Sequence, residues 1–379
     1  MRFANYKIYA TLIAILIFVP TLVNAQTPAE TEIFEARVVE ILDEQELVRE
    51  DGSTNLQQNL KLKGLSGAWQ DKEFEFHGIS ELDVISSNAY EVGDKVMVAQ
   101  SKNYEGNLVF YITDYVRSTA IYVLIGIFAL VVFAVGRWKG LRALAGLIIS
   151  FFIIIKFIIP QILGGHNPLI IGVIGAFVIL ALTIYITEGF QKKSHLALLT
   201  IFIGLIITSL LAIFFTKLAH LSGLAQEEIL FLVDVGRGTI NFSGLLLAGI
   251  LIGTIGALDD VVISQIEAVI QLKKANPSLA KPELFKMVSK IGHTHMGAMI
   301  NTLFLAYAGA SLPLLLLFNI KQEPFLSLSQ IINHEMIAVE IIRTLVGSMG
   351  IVLAIPISTI IAVHFISEKD TADTHLELH

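Results

Sequence analysis

Carboxylates inside a long apolar segment are the feature of this sequence most able to do chemistry. Residues 253–274 read GTIGALDDVVISQIEAVIQLKK, with two acids in the middle of the run. At helical spacing, one face carries only small or polar residues: Gly249, Gly253, Gly256, Asp260, Ser264, Glu267 and Gln271. Polar groups in hydrocarbon need protein or water beside them, so this face is predicted to look into a helix bundle. Asp259 lies about 100° round the helix and is interpreted as an interfacial charge.

Two later segments repeat the small-and-polar face. One carries His295, Met299, Thr302, Ala306, Gly309 and Pro313, with Asn301 beside them, and the other carries Glu340, Arg343, Gly347, Gly350 and Ala354. Carboxylates and a histidine suit a cation or proton pathway better than an anion pathway. The candidate intramembrane polar site is Asp260, Glu267, His295, Asn301, Thr302, Glu340 and Arg343, and the helix-packing positions are Gly249, Gly253, Gly256, Gly347 and Gly350.

Simpler interpretations of these residues stay open. Glu340 and Arg343 are three residues apart, a spacing that also forms a purely structural ion pair within one helix. His293 and His295 are two apart and point to different sides of a helix, so they do not predict a metal site. We predict no metal and no cofactor.

The chain lacks the motifs of common enzymes. It contains no cysteine, which excludes thiolate metal sites and cysteine nucleophiles. It has no Walker A sequence and no Gly-x-Ser-x-Gly elbow, so ATP hydrolysis and serine hydrolysis are not expected. We predict that the protein is not an enzyme.

Composition places these residues in a membrane protein. Of 379 residues, 54% are hydrophobic and 16% are charged, with a mean hydropathy of +0.72. That is too apolar for a soluble chain of this length, so the lipid bilayer is the predicted partner. The fold class is an α-helical integral membrane bundle, with a signal peptide and a small β-rich domain before it.

Seven membrane spans are predicted in residues 117–366, because about 20 apolar residues cross the hydrocarbon. They are 118–136, 143–162, 168–187, 196–216, 239–270, 296–318 and 337–366. Lys and Arg concentrate in alternate loops, which predicts an extracytoplasmic N-terminal domain and a cytoplasmic tail, 367–379. The predicted location is the cell (inner) membrane. Residues 281–292 form a separate amphipathic helix on the inner face.

Residues before the first span divide into two parts. Residues 1–25 combine a basic start, an apolar core and a small-x-small ending, which predicts a secretory signal peptide, with an uncleaved signal anchor as the alternative. Residues 26–116 contain five or six short β-prone runs separated by turns, typical of a small barrel or sandwich, with an OB-like barrel as one form. This domain is acidic and has no basic stripe, so no nucleic acid is expected.

The membrane depth of Asp260 has two alternatives. A span that begins near Asn241 brings Asp260 to the cytoplasmic interface. If Lys273 and Lys274 mark the inner boundary instead, Asp260 is near mid-membrane and residues 239–250 form a broken or re-entrant piece.

Four segments resemble the YibE/F-like family of bacterial membrane proteins. They are residues 114–147, 253–265 (GTIGALDDVVISQ), 292–318 and 335–358, and the resemblance covers almost everything after the signal peptide. Asp259 and His293 do not map onto a family pattern. The positions that do are Asp260, Asn301, Thr302, Glu340 and Arg343.

The resemblance implies an exported β domain followed by a helical membrane domain, and no established activity. The preferred hypothesis is a transporter or permease with a cation or proton pathway through the three C-terminal helices. The alternative is a membrane assembly or signalling partner, in which the exported domain binds another protein and the polar faces hold helices together.

Overall fold

The computed structural model describes residues 32–48, 54–79, 89–103, 106–225, 229, 232, 240–320, 323 and 326–367. The predicted signal segment lies outside these residues, as does the tail after Ser367. The chain divides between residues 134 and 135 into two compact units, one holding the β-rich domain and one holding most of the helices.

The β-rich unit contains a five-stranded antiparallel sheet. Its strands are β1 (Glu32–Val48), β2 (Thr54–Gly64), β3 (Glu73–His77), β4 (Lys95–Lys102) and β5 (Leu108–Tyr115), in the order β3-β2-β1-β4-β5. The long strand β1 pairs with both β2 and β4, and register shifts after Val38 and Ile41 bend it. The edge strands β3 and β5 also contact each other. The prediction of a small β-rich domain is confirmed.

One face of this sheet forms an apolar core because its strands alternate inward and outward residues. The buried set is Phe34, Ala36, Val38, Leu60, Leu62, Phe74, Val96 and Val98. Trp69 lies in a short 3₁₀ turn, Gly67–Trp69, and packs edge-on to Phe110 with ring centroids 4.9 Å apart. Its indole N–H donates to Gln100 Oε1 at 2.5 Å, which satisfies the polar end of this half-buried side chain.

The second unit is helical. Its helices are α1 (Ser118–Ile153), α2 (Ile159–Leu163), α3 (Pro168–Glu188), α4 (Lys192–Leu218), α5 (Phe242–Ala275), α6 (Lys281–Ala310), α7 (Leu312–Ile320), α8 (Leu328–Asn333) and α9 (Glu335–Phe365), the first of which begins before the division between the units. A π-helical segment, Ile154–Ile158, joins α1 to α2. Pro160 is the second residue after this segment and cannot donate the backbone hydrogen bond that a regular helix needs there.

Five helical segments among the described residues are long and apolar enough to cross a bilayer, so the prediction of seven spans is wrong. They are Ser118–Leu163, Pro168–Glu188, Lys192–Leu218, Phe242–Ala275 and Glu335–Phe365.

Two local features account for the difference in number. The first two predicted spans belong to one 46-residue helical run, interrupted only by non-helical backbone at Arg137 (φ 47°, ψ −130°). The predicted span 296–318 is divided, because α6 ends at Ala310 and the nine-residue α7 follows. The predicted amphipathic helix 281–292 is the first part of α6, and its polar residues make α6 less apolar than the five spans.

The three C-terminal long helices pack in alternating directions. Gly347 of α9 faces Thr254 of α5, and further along both helices Thr359 of α9 bonds Gln265 of α5, so α5 and α9 are parallel. Helix α6 runs antiparallel to both. Its Leu303 lies beside Gly347, and its Gly292 lies beside Gln265 and Ile355.

The small-and-polar face of α5 does not look into the bundle, so that prediction is wrong. Its residues Gly249, Gly253, Gly256, Asp260, Ser264 and Gln271 are exposed, and Glu267 is half-buried. The buried face is apolar apart from Thr254 and Gln265. Close approach comes instead from glycines on the partner helices, such as Gly347 and Gly350 of α9, which face Thr254 and Thr208.

Candidate intramembrane site

Helix α3 gives a scale for membrane depth. Its 21 residues span roughly 31 Å at 1.5 Å per residue, close to the ~30 Å thickness of the hydrocarbon. Pro168 at its start packs against Gly244 of α5, and Glu188 at its end lines a small pocket with Ile263 and Ile266. Helix α5 therefore crosses this thickness between about residues 244 and 266.

Asp259 and Asp260 lie within that thickness, roughly 10 Å from the end marked by Ile266. Helix α5 is continuous from Phe242, and the Asn241 side chain caps it by accepting from the Gly244 N–H at 3.0 Å. A broken or re-entrant start at 239–250 is thus wrong for the residues from 242 onward. Measured against α3, the acids come about two-thirds of the way along this part of α5, and the membrane depth of Asp260 stays a prediction.

The two acids have different surroundings. Asp259 is half-buried, and its Oδ1 is fully buried with no hydrogen-bond partner among the described residues. It interacts electrostatically with Asp260 and with Glu188 at the end of α3. Asp260 is exposed and interacts electrostatically with His295 of α6. The less buried carboxylate is therefore the one on the small-residue face.

An ion-pair network near these acids links the ends of α3 and α5 to the start of α4. Lys193 of α4 lies 2.6 Å from a Glu188 oxygen and 3.7 Å from a Glu267 oxygen. Gln271 donates to Glu267 Oε1 at 2.5 Å. Lys193 and Glu188 are about four-fifths buried, so the pairing keeps two charges together in a poorly hydrated place.

A second polar group lies toward the other end of α5. Arg343 Nη1 donates to Glu340 Oε1 at 2.9 Å, with 19% of each side chain exposed. Tyr307 of α6 interacts electrostatically with both, and its hydroxyl touches Gly253 of α5. Since Gly347 faces Thr254, Arg343 is one turn earlier, near Ile250, and roughly 9 Å inside the level of Gly244. The intrahelical ion pair anticipated from the spacing is present.

A buried hydroxyl and a buried amide also connect α5 and α9, close to the level of Ile266. Gln265 and Thr359 are fully buried, with the Thr359 hydroxyl 3.1 Å from Gln265 Oε1. Sequence reasoning missed Gln265, Tyr307, Glu188 and Lys193. Gln265 is one step round the helix from the polar stripe, and Glu188 and Lys193 lie between the predicted spans 168–187 and 196–216.

The remaining candidate residues are not brought together. Asn301 and Thr302 are exposed on α6, and the Thr302 hydroxyl donates to the Ala298 carbonyl of its own helix at 2.9 Å. Among the described residues, no three His, Asp or Glu side chains are arranged to hold a metal ion. Of the predicted packing glycines, Gly347 and Gly350 are buried between helices, whereas a Cβ at Gly249 or Gly256 would meet nothing within 4 Å.

A protein-family model matches the helical part of the chain. The family model described as YibE/F-like protein matches residues 124–368, which is more than half of the chain. The chain belongs to the YibE/F-like family. No curated protein matches, and no solved structure matches.

The YibE/F-like match contains every candidate site residue, both carboxylates of α5 included. It begins within α1, so the five-stranded sheet lies outside it. The sequence indicated this resemblance over almost everything after residue 25, and the family model shows it for residues 124–368.

Proposed function

We propose that this YibE/F-like protein is a permease that moves protons or a small cation across the bilayer through α5, α6 and α9, with Asp259 and Asp260 as the groups that bind it. The observation that carries this proposal is the buried Oδ1 of Asp259, which has no hydrogen-bond partner among the described residues and lies beside a second carboxylate in an apolar helix. An ionised carboxylate is costly there, and a proton or a cation removes that cost.

The surroundings favour reversible binding over a fixed structural role. Asp259 interacts with the acids Glu188 and Asp260, and no basic residue among those described is its electrostatic neighbour. Asp260 is exposed and has His295 as its electrostatic neighbour on α6, which provides a second titratable group on the neighbouring helix. We further propose that the membrane is the inner membrane, with the β-rich domain outside and the C-terminus in the cytoplasm, as the charge of the loops indicates.

The test is flux into proteoliposomes. Purified protein is reconstituted with a pH-sensitive dye inside, and a potassium diffusion potential drives proton entry. The same vesicles are then tested for uptake of labelled sodium, potassium and magnesium. The wild-type protein is expected to move the proton or one of these cations, and Asp259→Asn and Asp260→Asn are each expected to reduce that flux to the level of empty vesicles.

Glu283→Gln is the matched control, because Glu283 is an exposed acid in the first turn of α6 outside the candidate site. It should leave the flux unchanged. Equal flux in the wild type and both aspartate variants would remove these carboxylates from the pathway.

A second candidate function, protein binding by the β-rich domain, is favoured by one exposed apolar row. Ile33 and Tyr111 flank Ala99 in register across β1, β4 and β5, and they are 59% and 53% exposed. If none of the tested ions moves and crosslinking from Ile33→Cys or Tyr111→Cys traps a stable partner in native membranes, this function replaces the permease. The outward face of an OB-like barrel would then be the binding surface.

A further inference from the structure

A small pocket lies where α3, α4 and α5 meet. Glu188 and Lys193 line it together with Ser194, and its other walls are apolar, among them Ile263 and Ile266 of α5. The pocket has room for about one water molecule. An ion pair in such a poorly hydrated place adds little stability over apolar packing, so this pair is a candidate for a functional role.

The pocket lies next to Asp259. This residue is one helical turn before Ile263 on the same face of α5, and it interacts electrostatically with Glu188. Its other acidic neighbour, Asp260, points to a different face of the helix. Glu188 is the last residue of α3 and borders the pocket. It is therefore the acid through which a proton of Asp259 can reach this end of the bundle.

Lys193 pairs with Glu188 but has a second carboxylate close by. Its Nζ lies 2.6 Å from Glu188 Oε2 and 3.7 Å from Glu267 Oε2. The Glu267 side chain is 40% exposed, whereas the side chains of Glu188 and Lys193 are about four-fifths buried. Because a lysine side chain is flexible, a small movement transfers its charge from the buried acid to the more exposed one.

We propose that Glu188 passes protons between Asp259 and water at this end of the bundle, and that its ion pair with Lys193 is a lock on that transfer. This inference rests on the proposed function and names the proton as the transported ion. Protonated Asp259 gives its proton, through a water molecule in the pocket, to the Glu188 carboxylate. Asp259 is then the anion, and Glu188 is the neutral acid.

Lys193 stays an ammonium group throughout the transfer. When Glu188 becomes neutral, Lys193 pairs with Glu267, and when Glu188 has released its proton to water, Lys193 returns. A poorly hydrated ammonium group without a partner is costly, so Glu188 can accept a proton only while Glu267 holds the lysine. Removing the charge of Lys193 therefore opens the lock, and removing the charge of Glu267 tightens it.

The test is proton flux into proteoliposomes that contain a pH-sensitive dye, driven by a potassium diffusion potential. Glu188→Gln keeps the shape of the side chain but cannot carry a proton, so it should slow the flux at least roughly tenfold. Glu188→Asp keeps the acid and should retain most of the flux. A purely structural role predicts the opposite order, because glutamine fills the space of glutamate better than the shorter aspartate does.

Two further variants separate a lock from a structural ion pair. Lys193→Gln should raise the flux roughly threefold or more, because Glu188 is no longer held as the anion of a pair. Glu267→Gln should lower it. Damage to the packing would lower the flux in both variants. Lys192→Gln changes the exposed lysine next to Lys193 and is the matched control, with unchanged flux expected.

The opposite effects of Lys193→Gln and Glu267→Gln decide the matter even if Glu188→Gln fails to fold. Changes in the same direction in those two variants, or wild-type flux in Glu188→Gln, overturn the proposal. Transport of sodium, potassium or magnesium that Glu188→Gln leaves unaffected also overturns it, while the permease stands. A wild-type protein that moves neither protons nor these cations removes the permease and the relay together.

Discussion

The hydroxyl of Thr359 lies 3.1 Å from the side-chain oxygen of Gln265, and both side chains are fully buried between α9 and α5. The same hydroxyl also lies 2.8 Å from the Ile355 carbonyl, although it has a single hydrogen to donate. Rotating the Gln265 amide by 180° would let its nitrogen donate to Thr359, whose hydrogen would then go to Ile355. Either way, this pair is a direct polar link between the two central parallel helices.

Breaking that link should loosen the bundle without touching the carboxylates. We expect Thr359→Val and Gln265→Met each to lower the free energy of unfolding by about 1 kcal/mol, the scale of interhelical hydrogen bonds in membranes. The double variant should lose less than the sum of the two, because the second change removes a bond already broken. Unfolding in increasing SDS measures this, and strictly additive losses would show that the two side chains do not interact.

Gly292 should be intolerant of a single added methyl group. A Cβ there would lie 2.6 Å from Ile355 Cγ2 and 2.9 Å from Gln265 Oε1, at the place where α5, α6 and α9 meet. We expect Gly292→Ala to destabilise the protein by about 1–3 kcal/mol, the usual cost of overpacking. Gly297→Ala is the matched control on the same helix, since its Cβ would meet nothing within 4 Å. It should be neutral or stabilise by up to about 1 kcal/mol through helix propensity. Similar losses in both variants would contradict the packing argument.

The sequence predicts whether a segment is a helix or a strand better than it predicts which other elements that segment packs against. Apolar length finds the membrane helices, and alternation finds the β-rich domain, because both depend on local composition. The face of α5 that was predicted to point inward is exposed. A stripe of glycines beside an acid is as compatible with an exposed groove as with a packed helix face. Which glycine receives a neighbour depends on the partner helix, and Gly292, which packs against Ile355 and Gln265, is not among the predicted packing positions.

The two acids show the same limit at the site. Sequence spacing correctly places Asp259 and Asp260 on different faces of α5. It predicts that Asp260 faces the interior of the bundle, whereas Asp259 is the more buried of the two. Burial of Asp259 depends on the end of α3, where Glu188 lies, and no pattern within residues 253–265 contains that information. The pairing of Glu340 with Arg343 is predictable, because both lie on one helix three residues apart.

Glu335 should hold the segment after α4 against the start of α9. Its Oε1 accepts from the backbone N–H of Ser222 at 2.6 Å and of Gly223 at 2.9 Å, and the Ser222 hydroxyl donates to the same carboxylate. Bonds to a charged acceptor are worth more than neutral ones, so Glu335→Ala should cost about 1.5 kcal/mol. Hydrogen exchange at residues 219–225 should rise in this variant. Glu283→Ala, an exposed acid in the first turn of α6, should change neither quantity.

Two surface ion pairs should make the stability of the β-rich domain decrease in acid. The Lys61 side chain hydrogen-bonds Glu73 and lowers the pKa of that carboxyl, and the Arg117 side chain does the same for the pKa of Asp114. A carboxyl whose pKa is lower in the folded state than in the unfolded state stabilises the fold at pH values above its unfolded pKa, near 4. This stabilisation is lost as the pH falls through the folded-state pKa. The urea concentration at which half of the domain is unfolded should therefore decrease as the pH is lowered below about 4.

Trp69 fluorescence measures this midpoint once Trp138→Phe leaves it as the single tryptophan. Lys61→Met together with Arg117→Met should flatten the acid part of the curve. The same hydrogen bond raises the pKa of Lys61, so the Glu73 pair should also lose its contribution as pH rises through the folded pKa of that lysine. An unchanged pH profile in the double variant would show that these pairs do not shape the stability of the domain.

Cysteine labelling should distinguish a hydrated groove at Asp260 from a face covered by lipid. The chain contains no cysteine, so single introduced thiols are labelled without background. Asp260 and Phe202 are both exposed, and they lie at similar levels because Gly204, two residues after Phe202, packs on Leu258 of α5. The reactive thiolate forms in water and is disfavoured in apolar surroundings. A membrane-impermeant thiosulfonate should therefore modify Asp260→Cys at least roughly tenfold faster than Phe202→Cys in proteoliposomes. Equal slow labelling of both would mean that lipid covers Asp260, and a cation or proton could not then reach Asp260 from water along this face of α5.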